Sequence, residues 1–333
     1  MNDQNVKQET LLIRAISCLW GGAVGDAMGK ATEGYTPDRI LKTYGHMLRT
    51  FEEPVQPMSQ FAWKKAEVTE DTRQTLALAQ AIIADGKVDQ LTIARYLLKC
   101  DRKGVGSSSR LFHFVITGDI GHVATKGSGN GAATRISPVG LIDTTSDLNK
   151  LVEDVARATA MTHGGRVAVT GAAAVAAAIS AAVEGWPAGY VLIQALQAAK
   201  LAERYGYPDN LDSVSAKLQT AIDLAASYTG KELWEGLGRE IGWGFCANQA
   251  VPAALILACT LLNAKEAILT AVNQGGDSDA VAGIAGAVAA ALNPPSLPRK
   301  WIQQVQTINS LDLGGIAQKL VELRPSEKSA ASV

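Results

Sequence analysis

Apolar side chains recur every three to four positions along most of the chain, and no run of alternating β-branched residues long enough to make a strand interrupts them. The pattern predicts an all-α protein, a single compact multi-helix domain over 10–323. Its helices are expected over 10–20, a short stretch opened by Tyr35-Thr36-Pro37-Asp38, 75–83, 89–101, 108–117, 147–162, 166–183, 190–205, 210–226, 231–237, 253–262, 264–272, 280–292, and one or two over 297–322. Most of these carry one apolar stripe, as a helix on the outside of a domain does. Two differ. Residues 166–183 are dominated by Ala and Val, and from Ala280 to Leu292 there is nothing but Ala, Val, Gly, Ile and Leu. Helices apolar on every side belong in the centre of the fold. Between the elements, 21–34 are glycine-rich and read as a segment that brings backbone close to a ligand, while 45–68 lack periodicity and read as a loop. Gly104 and Gly106 punctuate the 89–117 region, and a further loop over 118–127 carries His122.

The polar exceptions sit at the heads of the apolar helices. Asn273-Gln-Gly-Gly-Asp277-Ser278-Asp279 opens the 280–292 helix, and Val68-Thr69-Glu70-Asp71-Thr72-Arg73-Gln74 opens the 75–83 helix. A helix N-terminus offers unpaired N–H groups and positive partial charge, so one carboxylate or hydroxyl there is an ordinary cap, with Thr69 the natural N-cap of the second motif. Two carboxylates beside a buried segment repel each other. A divalent cation would offset that repulsion, and two such helix starts in one chain point to a shared polar site. Gly129-Asn130-Gly131, inside Lys126-Gly-Ser-Gly-Asn-Gly131, is a run of flexible N–H donors that suits a phosphate or a ribose edge, although a tight entry to a packed helix explains it equally well. His163 lies at the junction Thr162-His163-Gly164-Gly165, where a hydrogen-bonded corner is the commoner use of a histidine.

Composition narrows the partners. Of 333 residues, 47% are hydrophobic, enough for a sizeable core. Lys+Arg 31 against Asp+Glu 32 leaves a net charge of −1, which gives no electrostatic case for nucleic acid or an anionic membrane. Residues 1–9 are polar and carry no apolar signal region, so a cytoplasmic protein with a flexible N-terminus is expected. The apolar run Leu11 to Met28 is broken by Arg14, Asp26 and several glycines, which speaks against a membrane span. Cys18, Cys100, Cys246 and Cys259 have no CxxC spacing and read as buried free thiols, and 324–333 read as a disordered tail.

Four separated blocks resemble the ADP-ribosylglycohydrolase family: Gly21-Gly-Ala-Val-Gly-Asp-Ala-Met-Gly through Glu33, Thr69-Glu70-Asp71-Thr72, Gly129-Asn130-Gly131-Ala-Ala-Thr-Arg-Ile-Ser-Pro, and Gly275-Gly276-Asp277-Ser278-Asp279, with Thr162-His163 and Ala250-Val-Pro252 between them. The resemblance implies an all-helical hydrolase with a binuclear Mg²⁺ or Mn²⁺ centre on the central helices that removes ADP-ribose from side chains or small molecules. It implies Thr69, Glu70, Asp71, Asp277 and Asp279 as metal ligands, with Asp279 bridging the two ions. Glu33 falls near the substrate ribose, Gly129, Asn130 and Gly131 around the diphosphate and ribose, and His163 in the substrate cleft. Two departures are visible. Glu70 stands where the family places an aspartate, and Ala280 where it places a threonine that contributes a ligand to the second ion. Two ions are expected, the second weakened by Ala280, with a single-metal site as the alternative.

Three functions follow as expectations. The leading one is metal-assisted hydrolysis of a ribosyl glycosidic bond, with Glu33, Asp71 and Asp279 as the catalytic carboxylates and an ADP-ribosylated protein as substrate. A second keeps the chemistry on a nucleoside or other small ribosyl glycoside, and a third is a non-catalytic ADP-ribose-binding or structural relative.

Overall fold

The computed structural model describes residues 3–55, 62–100, 114–118 and 127–325. Among them there is no strand, and only two isolated bridges, Gly129 with Cys246 and Gly165 with Tyr207, join extended segments. The all-α expectation holds. In chain order the helices are α1 (Asp3–Gly29), α2 (Pro37–Tyr44), α3 (Glu70–Asp85), α4 (Gln90–Leu97), α5 (Gly131–Thr134), α6 (Ser137–Ile142), α7 (Leu148–Thr159), α8 (Arg166–Glu184), α9 (Ala188–Ala202), α10 (Val214–Ser227), α11 (Gly230–Glu240), α12 (Ala247–Leu261), α13 (Ala264–Gln274), α14 (Ser278–Leu292), α15 (Arg299–Asn309) and α16 (Leu313–Leu323). Of the expected helix over 108–117, only the turn at 114–117 falls within the described residues. Gly104, Gly106 and His122 lie outside them.

The two all-apolar helices are the centre. Within α8 every residue from Val167 to Val183 is buried, and α14 is buried almost throughout. By length and composition Gln8–Gly29 and Arg166–Glu184 could each cross a membrane, but 94% of the second is enclosed by the rest of this protein.

Glycine density in 21–34 does not make a loop. Gly21, Gly25 and Gly29 all lie within α1, four residues apart, and so share one face. A Cβ on Gly21 would come 2.2 Å from the Gly286 carbonyl oxygen, one on Gly25 2.0 Å from that of Ala282, and one on Gly29 2.3 Å from that of Ser278. These glycines let α1 and α14 meet backbone to backbone, and the ligand-approach reading of this segment is replaced by a helix contact. Arg14 of α1 reaches the far end of the same pair. Its guanidinium donates to the carbonyls of Ala291 (2.6 Å) and Leu292 (2.9 Å), which a helix C-terminus leaves without intrahelical partners.

Three boundaries also move. Helix α1 begins at Asp3, inside the stretch expected to be flexible. Helix α12 begins at Ala247 and carries Pro252 within it, at the cost of one intrahelical bond to the Asn248 carbonyl. Arg324, placed in the tail by its surroundings in sequence, is an anchor: it donates to the carbonyls of Gly140 and Leu141 (both 3.0 Å) and pairs with Glu184 at 2.5 Å. Residues 326–333 lie outside the described ones. The four cysteines are free, Cys18 and Cys259 buried, Cys100 and Cys246 half-buried.

Candidate active site

The head of α3 forms as its residue types dictate. Thr69 is the N-cap in an extended conformation, and its Oγ1 accepts from the Asp71 N–H at 3.2 Å, with Glu70 and Asp71 in the first turn. A second cap comes from outside the helix. Asp26, in the last turns of α1, is buried and accepts from the Thr69 N–H (3.0 Å), the Thr72 N–H (3.2 Å) and the Thr72 hydroxyl. Burial pushes its carboxyl above the usual range, and the hydrogen bonds from Thr69 and Thr72 pull it back.

The head of α14 is shaped by its two glycines. Gly275 and Gly276 have φ of 70° and 66°, the left-handed region, and a Cβ on either would meet the carbonyl oxygens of Tyr35 at 2.0 Å and Trp243 at 2.1 Å. The turn is tied to the chain after α1, with the Gly34 N–H donating to the Gly276 carbonyl (2.7 Å) and the Gly276 N–H to that of Tyr35 (2.9 Å). Asp277 N–H donates to the Trp243 carbonyl at 2.7 Å. These bonds carry Glu33 to the α14 head: carboxylate oxygens of Glu33, Asp277 and Asp279 lie within 4.8 Å of one another.

A short segment joins the two acidic heads. Asn130 Nδ2 donates to Asp277 Oδ2 at 2.5 Å, and four residues later Thr134 Oγ1 donates to Asp71 Oδ1 at 2.8 Å. The Gly129–Asn130–Gly131 stretch therefore spans the site, with Asn130 holding one carboxylate, while Gly129 and Gly131 leave bare backbone beside it. The ring of Phe245 lies over Gly129, where a Cβ would meet its Cε1 at 2.7 Å, and is 68% exposed. His163 flanks Gly131, whose Cβ would lie 3.2 Å from Nε2. Its Nδ1 is 2.9 Å from the Thr162 hydroxyl, which also receives Arg135. Burial, and then the Arg135 charge, hold the His163 imidazole down at about 3, so it is neutral at ordinary pH.

Electrostatically the heads form one system. Asp71 is held well above the usual carboxylate range by burial, then by the charges of Asp26 and Glu70, with Asp277 adding to them. Asp279 is raised likewise by burial, then by Glu33, Asp277 and Asp71. Burial also raises Glu70 and Asp277, the latter against the stabilising bond from Asn130. The buried Arg135 guanidinium acts on Asp71, and among the other carboxylates sits the ammonium of Lys30. It pairs with Glu33, approaches Asp279 at 3.8 Å and lies over the Trp63 ring at 4.8 Å from its centroid.

The structure thus brings together Glu33, Asp277 and Asp279, couples Glu70 and Asp71 to them, and sets Gly129, Asn130, Gly131 and His163 alongside. Thr69 serves the α3 turn. Sequence reasoning missed Asp26, Lys30, Thr134 and Phe245. For Asp26 a signal existed: a lone carboxylate inside an apolar helical run must be partnered. An oxygen-only donor set with excess negative charge suits a hard metal cation rather than a soft one.

Among the described residues the core is wholly helical, and the acidic heads of two helices act on one another electrostatically, with one of them in a carboxylate cluster that could hold a metal ion. The comparisons with known proteins give the family. The profile of the ADP-ribosylglycohydrolase family matches residues 7–330. The chain is 27% identical to the protein YegU of Escherichia coli (strain K12) over 329 residues, which covers 95% of this chain and 98% of that one. To the ADP-ribosylhydrolase ARH3 of Mus musculus it is 25% identical over 345 residues, 91% of this chain and 90% of that one. A solved structure described as an ADP-ribosylglycohydrolase-related protein complex superimposes with a TM-score of 0.70 at 23% identity, covering 95% of this chain and 100% of that one, and so shares the fold. This chain belongs to the ADP-ribosylglycohydrolase family, a family of hydrolases.

Proposed function

We propose that the chain is a divalent-metal-dependent hydrolase that releases ADP-ribose from a modified protein side chain by cleaving the bond at the anomeric carbon of the ribose. One observation carries the reading: Asn130 and Thr134, on one short segment, tie the acidic heads of α14 and α3 together, so the carboxylates and the 129–131 backbone adjoin one another. A Mg²⁺ or Mn²⁺ ion held by Asp71, Asp277, Asp279 and Glu70 would polarise ribose hydroxyls or a water molecule. Asp71 is aimed by Thr134 and Asp277 by Asn130, which fixes the carboxylates before substrate arrives. Gly129 and Gly131 let the rings of Phe245 and His163 close on the 129–131 backbone beside the carboxylates; the exposed Phe245 ring offers a stacking face for the nucleobase, and neutral His163 can hydrogen-bond without adding charge. Glu33, with its side chain 35% accessible at the open edge of the cluster, takes a proton from the attacking water. The hydroxyl goes to the anomeric carbon as the bond to the side-chain atom breaks, and that atom departs with the proton Glu33 took, while the surrounding carboxylates stabilise positive charge developing on the ribose.

The test is release of ADP-ribose from peptides carrying ADP-ribosyl-serine or ADP-ribosyl-arginine, with Mg²⁺ or Mn²⁺ present. Asp71→Asn and Asp279→Asn should each lower the rate by about a hundredfold or more. Full activity in both variants ends the proposal. The presence of Lys30 and Ala280 within the cluster motivates a second reading, in which the leaving group is a small molecule. Turnover of a nucleoside panel with none of either peptide would favour it.

A further inference from the structure

We infer that the Lys30 ammonium is a resident counter-ion at Glu33, close to one oxygen of Asp279, in the place of a second ion, so that this chain takes up one divalent ion, held from the Asp71 side with Asp279 shared, and not two. The inference rests on the reading that the cluster binds a divalent cation at all. Three features fix the lysine there. Its backbone N–H donates to the Asp26 carbonyl at 3.2 Å, which continues α1 by one residue. Gly29, just before it, is packed so closely on α14 that a Cβ there would lie 2.4 Å from the Asp279 Cα. The side chain, only 10% accessible, then runs between the Trp63 ring and the carboxylates of Glu33 and Asp279. Lys30 cannot swing far without leaving the aromatic face, and Asp279 cannot move away without separating α1 from α14.

An ammonium has three N–H donors and no lone pair, so it cannot ligate a metal ion. Seated at Glu33 and 3.8 Å from Asp279, it occupies the space between two of the three carboxylates that most closely converge. A second divalent ion placed there would face a positive charge at contact distance in a poorly solvated site, where repulsion is strong. Ala280, buried beside Asp279, adds a methyl group and no oxygen. On the Asp71 side no ammonium makes such a contact among the described residues: Asp71 receives Thr134, faces the charges of Asp26, Glu70 and Asp277, and feels the opposite charge of the buried Arg135 guanidinium, whose N–H groups donate to Gln74 and Thr162. One ion bound there and one lysine at Glu33 divide the negative charge between them.

The experiment is Mn²⁺ binding to the full chain, read as bound ions per protein by equilibrium dialysis and as free Mn²⁺ by its electron paramagnetic resonance signal, with no substrate present. Wild type should bind one ion, and Lys30→Met two, or one plus a second step tightened at least tenfold. Ala280→Thr, which restores a hydroxyl but keeps the lysine, should remain at one. Melting curves establish that each variant is folded. Should Lys30→Met fail to fold, Lys30→Gln, which also removes the ammonium, takes its place. Two ions in wild type, two in Ala280→Thr, or one ion with no second step in the folded Lys30 variant overturn the inference and leave the metal-dependent reading standing. No ion in any variant overturns both.

Discussion

The contact between α1 and α14 makes a sharp prediction because two glycines one turn apart should respond with opposite signs. At Gly25 an added Cβ would lie 2.0 Å from the Ala282 carbonyl oxygen, 2.4 Å from its carbon and 2.7 Å from the Gly283 nitrogen. All three are backbone atoms of a buried helix, and the shortest distance falls about 1.4 Å short of the 3.4 Å at which ordinary van der Waals contact begins. No side-chain rotation relieves this, so the helices must part. Overpacking of a well-filled core costs about 1–3 kcal/mol, and with backbone on both sides Gly25→Ala belongs at about 3 kcal/mol. Gly22, on the same helix, has as its nearest neighbour the Ala287 Cβ at 3.7 Å, which an alanine would simply touch. There the substitution only removes the conformational entropy of a helical glycine, a gain of about 0.5–1 kcal/mol. The assay is urea unfolding followed by far-ultraviolet circular dichroism. We expect the midpoint of Gly25→Ala to fall well below that of wild type and that of Gly22→Ala to match or exceed it. Because Asp26 and Gly29 ride on the same turns, Gly25→Ala should also weaken Mn²⁺ binding. Equal stability of the two variants would refute the reasoning, since they differ chiefly in what the new methyl group meets.

Asp26→Ala should cost about 3 kcal/mol in the same assay and weaken Mn²⁺ binding, because it strips the Thr69 and Thr72 N–H groups of a charged acceptor inside the protein; Asp26→Asn, which keeps one oxygen, should be milder. Asp143 is buried and its carboxyl is raised to about 6, by burial against the stabilising Lys150 bond. A carboxyl raised on folding contributes stability that is full below its ordinary value and lost as pH rises through about 6, an effect of about 3 kcal/mol. Asp143→Asn should therefore flatten that part of the stability profile between pH 4 and 6.5, and an unchanged slope would count against it. His163→Gln should reduce substrate affinity yet leave the shape of the pH–rate profile between pH 5 and 8 unaltered, since the imidazole is already neutral there. An inflection near pH 6.5 that disappears in the variant would contradict this.

The helical class, the burial of α8 and α14, and the acidic heads at Thr69–Asp71 and Asp277–Asp279 could all be read from periodicity and capping chemistry, because each depends on residues close in sequence. What could not be read depends on the approach of distant segments. Glycines at 21, 25 and 29 look like a loop until the opposing helix is known to present Gly286 and Ala282 to them. Glu33 was placed in the site by family likeness; the physical cause is the pair of backbone bonds that link Gly34 and Tyr35 to Gly276, which no local pattern announces. Arg324 shows the same limit in reverse, a tail residue by composition and a buried clamp by contact.

The glycine contact and the acidic site have one structural origin. Close approach of α1 to α14 is possible only with small residues, and it brings the C-terminal turn of α1 against the N-terminal turn of α14. The α1 segment delivers Asp26 to the head of α3, Lys30 to Asp279 and Glu33 to Asp277. Carboxylates on separate helices repel, and burial magnifies that repulsion, so the cluster can persist only where packing elsewhere holds it together. Here the methyl-free contact supplies that restraint. A divalent ion binding to such a held cluster gains its attraction without first having to assemble the ligands, which is why loosening the helix contact at Gly25 should weaken metal binding although no ligand is altered.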